Sequence, residues 1–258
     1  SLFKAPEIKR AVQGGQAQIG EVLLVNFQNE WQIFGADGLP FLADSYDAAA
    51  KLWKVQRPMM EKKLAEQGLM VLYAVPWPPQ GIYSKKALAS AADLKGIKWR
   101  AYSPATSRIA ELVGAQPVTV QAAEVSQAFA TGVAESMMSS GSTGADAKLY
   151  EHVKFWYDTQ AWLPKNAVLV NKAAFDALDA PSKQALLKAG ADAETRGWEA
   201  SKKANGESLD KLKAGGMQIL PPTPQLTADM KKVGDTMLKE WVDKAGADGK
   251  QLVDAFKQ

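Results

Sequence analysis

The residue best placed for chemistry in this sequence is Arg100. It sits in Asp93-Leu94-Lys95-Gly96-Ile97-Lys98-Trp99-Arg100-Ala101-Tyr102-Ser103-Pro104. The first four of these residues have turn composition, 97–102 alternate like a strand, and Ser103 with Pro104 offers an N-cap and a first-turn proline for a helix. Arg100 therefore falls near the carboxyl end of a strand, where open α/β sheets bind ligands. A guanidinium there is shaped to grip a carboxylate through two parallel hydrogen bonds. Taken alone, an arginine in this setting is more often an exposed strand-end charge.

Other catalytic vocabulary is sparse. The sequence has no cysteine and one histidine, which excludes disulfides, Cys-based metal sites and thiol catalysis. A Ser/His nucleophile or a zinc centre would have to be built on His152, which stands between Glu151 and Val153 and reads as structural or exposed. There is no Gly-x-Gly-x-x-Gly, Walker loop, His-Glu-x-x-His or Gly-x-Ser-x-Gly. Two carboxylates can be brought together from anywhere in a chain, and nothing singles out such a pair. The run Ser139-Ser140-Gly141-Ser142-Thr143-Gly144 either offers N–H groups and hydroxyls to an anion or is a plain loop between a strand and a helix. Trp77 and Trp162 lie in Pro-flanked loops beside polar residues and suit the apolar wall of a small-molecule pocket, while Trp53, Trp198 and Trp241 fall on helical stripes and read as packing. No cofactor or metal is expected.

The elements that must position these residues read as alternating strands and helices. A helix at 6–13 feeding an apolar strand at 19–25 suggests a parallel sheet. A long helix follows to about residue 67, with a kink expected at Pro58. A strand at 69–75 ends in Pro76-Trp77-Pro78-Pro79-Gln80-Gly81, a crossing between domains or the rim of a site. A short strand at 82–86, the Arg100 strand, and helices and strands through residue 171 continue the βαβα alternation. The helical pattern at 181–214 is longer than one compact domain usually needs and could span two lobes. A strand at 217–220 and amphipathic helices from 227 to the end complete the chain.

The charge balance is mild, 31 Lys plus Arg against 28 Asp plus Glu, and dispersed, so no nucleic-acid partner is expected. No apolar run reaches the roughly 18 residues that span a bilayer. The chain starts at Ser1 with neither an initiator Met nor a signal peptide, which reads as processing or trimming.

Asp93-Leu94-Lys95-Gly96-Ile97-Lys98-Trp99-Arg100, then Val113-Gly114-Ala115-Gln116-Pro117, Glu124-Val125 with Ala128 and Thr131-Gly132, and Lys148-Leu149-Tyr150-Glu151 together resemble the solute-binding subunits of TRAP transporters, the tripartite ATP-independent periplasmic carriers of organic acids. The likeness runs on through Val168 to Asn171 and the long helix, and back through Pro40-Phe41-Leu42 to Ser1-Leu2-Phe3. It implies an α/β, two-lobed periplasmic binding protein fold with hinge strands and a long lobe-spanning helix. Lobe one would hold residues 1–77 and lobe two 78–164. The chain would return to lobe one with the long helix over 165–214, and 215–258 would pack on both lobes. The opening strand, helix and strand that such proteins carry before the Ser1-Leu2-Phe3 position are missing from the sequence as it stands.

The resemblance further implies a periplasmic, non-enzymatic monomer that binds a small organic acid and delivers it to membrane permease subunits. Arg100 would anchor the carboxylate and Gln80 would donate a hydrogen bond beside it. Ser139 and Ser140 would line the second lobe, with Asn26, Phe27, Asn29 and Glu30 facing the cleft from the first. Side-chain type and placement add Tyr102, Trp77, Gln160 and Trp162. Sialate-binding members carry a second arginine where this chain has Gln80 and an asparagine where it has Ser139, which argues against sialate. The aromatic residues suggest a monocarboxylate with an apolar, aromatic or 2-oxo/2-hydroxy tail. A C4-dicarboxylate binder, a carboxylate-processing hydrolase or lyase on the same scaffold, and a sensory receptor remain the alternatives.

Overall fold

The computed structural model describes residues 2–258; Ser1, the first residue of the Ser1-Leu2-Phe3 segment, lies outside them. The strands form one sheet of three and one of six. This is the two-lobed α/β architecture that the sequence implies.

The three-stranded sheet starts with α1 (Ile8–Gln13), β1 (Ile19–Leu23), α2 (Tyr46–Glu66) and β2 (Leu69–Pro76). Ser45 begins α2 by accepting the Ala48 N–H at 3.1 Å, satisfying one of the donors a helix leaves free at its start. The helix buries Leu52, Trp53, Met60 and Leu64, the stripe its apolar spacing dictates, and Pro58 sits inside it without ending it.

Past Trp77-Pro78-Pro79 the chain enters the six-stranded sheet with β3 (Gln80–Ser84), β4 (Lys98–Ala101), α3 (Pro104–Leu112), β5 (Gln116–Thr119), α4 (Val125–Ala130), β6 (Ser136–Ser140), α5 (Gly141–Asp146) and β7 (Phe155–Tyr157). Here β4 pairs in parallel with both β5 and β6, as strand–helix alternation requires. β3 runs antiparallel to β6 and β7. Two stretches differ from the sequence reading. The Ser139–Gly144 run is not a loop, because β6 continues to Ser140 and α5 opens at Gly141. The end of the 19–25 strand curls into a 3-10 turn, Leu24–Phe27.

The chain returns through 158–164 into β8 (Lys165–Asn171), followed by α6 (Lys172–Asp176), α7 (Ala180–Ala214), β9 (Gln218–Leu220) and α8 (Pro224–Lys257). β8 lies between β1 and β2 and is antiparallel to both, which corrects the parallel sheet suggested by the first helix and strand. An apolar strand run specifies burial, not direction. β2 leaves the first sheet and β8 comes back to it, so the two must point opposite ways.

The outgoing and returning segments bond to each other. Trp77 donates its backbone N–H to Pro164 O at 2.8 Å, Gln80 donates to Trp162 O at 3.0 Å, and Ala161 donates to Gln80 O at 3.1 Å. Two long helices clamp the halves. Along α7, Trp198 donates its indole N–H to Ala74 O at 3.1 Å and Glu194 accepts the Ala74 N–H at 2.8 Å, while further on it packs against α5 and β9. Gly197 lets α7 approach β2, since a Cβ there would strike the Val75 side chain. On α8, Glu240 takes a forked pair of bonds from Arg108 of α3, at 3.0 and 2.7 Å, and Trp241 donates to Gln32 O at 2.9 Å.

One buried ion pair ties the 3-10 segment Gln32–Gly38 to β8. Lys165 Nζ lies 3.7 Å from Asp37 Oδ2, and the same oxygen accepts the Lys165 backbone N–H at 2.8 Å. Among the described residues, Lys165 Nζ and Asp37 Oδ1 have no hydrogen-bond partner. Burial pulls the Lys165 amine below its ordinary pKa and pushes the Asp37 carboxyl above its own, in each case outweighing their mutual attraction. Lys165→Met alone is expected to destabilise the fold by ~3–5 kcal/mol, because it strands Asp37 without a cation. Combined with Asp37→Asn, most of the loss should be regained, as read by chemical denaturation. Equal losses in the single and double variants would mean that the charges do not govern this contact.

Candidate ligand-binding site

Strand β4 is four residues long and alternates, so Trp99 and Arg100 point to opposite faces of the sheet. Trp99 is wholly buried in the core. Arg100 is almost as buried, 3% exposed, yet its contacts are weak for a cation. Its Nε donates to Val120 O at 3.0 Å, one terminal nitrogen lies 3.9 Å from Met137 Sδ, and the guanidinium stands 5.0 Å from the Tyr102 ring centroid. Among the described residues no carboxylate forms a salt bridge with it. Burial lowers its pKa from the ordinary guanidinium range to about 10, opposed in part by its interaction with Tyr102. A desolvated cation on a cavity wall, with no carboxylate beside it among the described residues, has the chemistry to attract an anion.

That cavity measures about 210 Å³, which suits a small metabolite rather than a drug-sized molecule. From the six-stranded half it is lined by Gln80, Arg100, Tyr102, Gln121, Ala122, Ser139 and Thr143, and from the other half by Ala5, Glu21, Val22, Leu23, Asn26, Phe27 and Asn166. Trp77 and Pro164, in the two crossing segments, close it at the junction. The Tyr102 hydroxyl donates to Gln80 Oε1 at 3.2 Å, and Gln80 Nε2 donates to Pro78 O at 3.0 Å. Burial raises the Tyr102 pKa, so the phenol stays a neutral hydrogen-bonding group.

Of the residues expected from the sequence, Arg100, Gln80, Tyr102, Ser139, Trp77, Asn26 and Phe27 come together around this space. The other five do not line it. Ser140 is buried, its hydroxyl accepting the Thr143 N–H at 3.2 Å and its carbonyl accepting the Tyr83 hydroxyl at 2.7 Å, so it caps α5 while Thr143 reaches the cavity. Asn29 is exposed. Glu30 pairs with Lys9, which also holds Gln67 at 2.8 Å. Gln160 is exposed, with a left-handed backbone at φ 47° and its amide turned to Asp158. Trp162 is 1% exposed, in the core beside Tyr102.

Sequence reasoning missed Glu21, Asn166 and Gln121, and reached Thr143 only as part of the Ser139–Gly144 run. Glu21 carried a usable signal, since it is a charged residue set into the apolar strand run Ile19–Leu23.

The profile of the bacterial extracellular solute-binding proteins, family 7, matches residues 1–245. A solute-binding protein of Albidiferax ferrireducens is 25% identical over 211 residues, covering 80% of this chain, and the chain spans 59% of that relative's length. Among solved structures, DctP6 of Bordetella pertussis, an extracytoplasmic solute receptor binding pyroglutamic acid, is 61% identical with a TM-score of 0.98, over 100% of this chain and 85% of that one. A marine metagenome TRAP solute binding protein specific for pyroglutamate, from an unidentified microbe, is 44% identical with a TM-score of 0.97, over 100% of this chain and 84% of that one.

The lowered pKa of Arg100 makes a pH prediction. Its charged form is penalised in the folded protein, and the penalty is relieved as pH rises through about 10. Carboxylate binding needs that charged form. Affinity for a small carboxylate should therefore be flat from about pH 5 to 9 and fall by about tenfold per unit above pH 10, as measured by calorimetric titration with circular dichroism confirming that the fold persists. Affinity unchanged well above pH 10 would show that burial does not bring the Arg100 guanidinium down to about 10.

Proposed function

The chain belongs to bacterial extracellular solute-binding protein family 7, and on that premise we propose that it is the periplasmic solute receptor of a TRAP transporter whose ligand is pyroglutamate or a close cyclic monocarboxylate. The observation that carries this reading is Arg100, a buried guanidinium on the cavity wall with no carboxylate paired to it among the described residues. A ligand carboxylate supplies the missing charge, and its oxygens take the guanidinium N–H groups that Val120 leaves free. Tyr102, Gln80 and Ser139 surround it with hydrogen-bonding groups, and Phe27, Val22, Leu23 and Trp77 cover the apolar part of the ring. Among the described lining residues Arg100 is the one cation, and Glu21 adds a carboxylate, so a second acid group on the ligand would meet repulsion rather than a partner. This favours a monocarboxylate over a C4-dicarboxylate.

Binding involves both halves of the molecule, because the cavity draws its lining from each. A ligand that touches both favours the arrangement in which they are close together. The closed receptor is the form handed to the permease subunits, which take the acid across the membrane.

Isothermal titration of ligand-free protein should give a micromolar or tighter dissociation constant for pyroglutamate and much weaker binding of succinate. Arg100→Ala should weaken pyroglutamate binding by ~2–5 kcal/mol while leaving the melting temperature of the unliganded protein unchanged or higher, since it removes an unpaired buried charge. Tighter binding of succinate than of pyroglutamate, or an unchanged affinity in Arg100→Ala, would overturn the reading.

A further inference from the structure

A second, more open cavity of about 350 Å³ runs along α7 beside the first. It is lined by Val75, Pro76, Pro78 and Ser142 and by the small residues Gly197, Ala200, Ser201 and Ala204 of α7. Three lining residues are common to both cavities: Glu21, Trp77 and Asn166. These three are also joined into one hydrogen-bonded chain. The Trp77 indole N–H donates to Asn166 Oδ1 at 2.9 Å, and Asn166 Nδ2 donates to Glu21 Oε1 at 2.7 Å. The partition between the two spaces is thus a single side-chain chain running from the crossing segment, through the first residues of β8, to β1.

From this geometry we propose that Trp77, held by Asn166 and Glu21, is the end wall that limits how long a carboxylate the receptor accepts; the inference rests on the Arg100-anchored receptor reading above. A tail leading away from Arg100 meets the indole face. The ring is poorly held by packing, being 37% exposed, so its orientation comes from three other sources. Its own backbone N–H is bonded to Pro164 O at 2.8 Å, the prolines on either side restrict the backbone, and the indole N–H is bound to Asn166. Beyond the ring, α7 presents glycine, alanine and serine, and that space would accept an apolar group if the ring were absent. Short cyclic monocarboxylates fit in front of the wall, and monocarboxylates with an extended apolar tail are rejected by it. Discrimination therefore comes from a steric stop as well as from attraction to the preferred ligand.

The test uses two probes, pyroglutamate and 4-phenylbutanoate, in calorimetric titrations of the full chain. Wild-type protein should bind pyroglutamate at least about a hundredfold more tightly. Trp77→Ala should bind 4-phenylbutanoate about tenfold or more better than wild type, as the phenyl group enters the α7 groove. Ala204→Phe alters only the groove and should leave pyroglutamate affinity unchanged; added to Trp77→Ala, it should abolish the gain. Asn166→Ala keeps the ring but frees it, and should give a smaller gain in the same direction. If Trp77→Ala proves unfolded by circular dichroism, Trp77→Leu is measured in its place with the same expectation. No gain for 4-phenylbutanoate in a folded Trp77 variant that still binds pyroglutamate overturns the wall, as does a gain that Ala204→Phe fails to cancel. Failure of wild-type protein to bind pyroglutamate would count against the receptor reading instead, and is read separately.

Discussion

A guanidinium removed from water and, among the described residues, paired with no carboxylate is the constraint around which this molecule is arranged. At Arg100 one carbonyl, one sulfur and one aromatic face stand in for the carboxylate that a buried arginine usually requires. These contacts hold the side chain at the cavity wall, and burial nonetheless lowers its pKa. The same chain contains the contrasting solution. Lys165 is buried more completely and is paired internally with Asp37, and it plays a structural part between two segments. One buried cation has a carboxylate of the protein beside it, and the other, on the proposed reading, meets the carboxylate of a ligand.

Holding such a charge at a junction requires scaffolding on both sides. β4 is short, but it is flanked in parallel by β5 and β6 and backed by Trp99, so Arg100 has little freedom to move. The opposing wall comes from β1 and β8 of the other sheet, and the two crossing segments are bonded to each other beside the cavity. α7 lies across both sheets and α8 reaches contacts on both halves. Rigid elements thus supply the walls, and the Pro-rich crossings supply the place where the halves meet, with Trp77 set into one of them. Phe41 and Gln160, which adopt left-handed backbone geometry despite carrying side chains, stand in or beside segments joined by the Phe41 N–H to Ala161 O bond. Such conformations cost on the order of 1–3 kcal/mol each and persist where surrounding structure enforces them.

What the sequence by itself determined was local. Turn, alternation and capping residues around Arg100 specify a strand followed by a helix wherever the segment ends up, because those preferences are set by neighbours a few residues apart. The same holds for the Ser45 cap, the stripe of α2 and the length of α7. Together with the run of motifs shared with TRAP receptors, this was enough for the two-lobed α/β fold and for seven of the residues that surround the cavity. Tertiary structure decided the rest. The antiparallel placement of β8 follows from the route the chain takes out of one sheet and back into it, which apolar periodicity does not encode. Whether Trp77 or Trp162 faces the cavity, though both sit in Pro-flanked loops, depends on which side of the junction each crossing segment turns toward. Glu30 is taken up by Lys9 and Ser140 by the start of α5, partners that local sequence does not reveal. Glu21 and Asn166 are 145 residues apart, and their meeting at Trp77 exists only because three separate strands and crossings converge there. Local chemistry is legible along a chain; which groups are left unpaired, and what stands across from them, is settled only once it has folded.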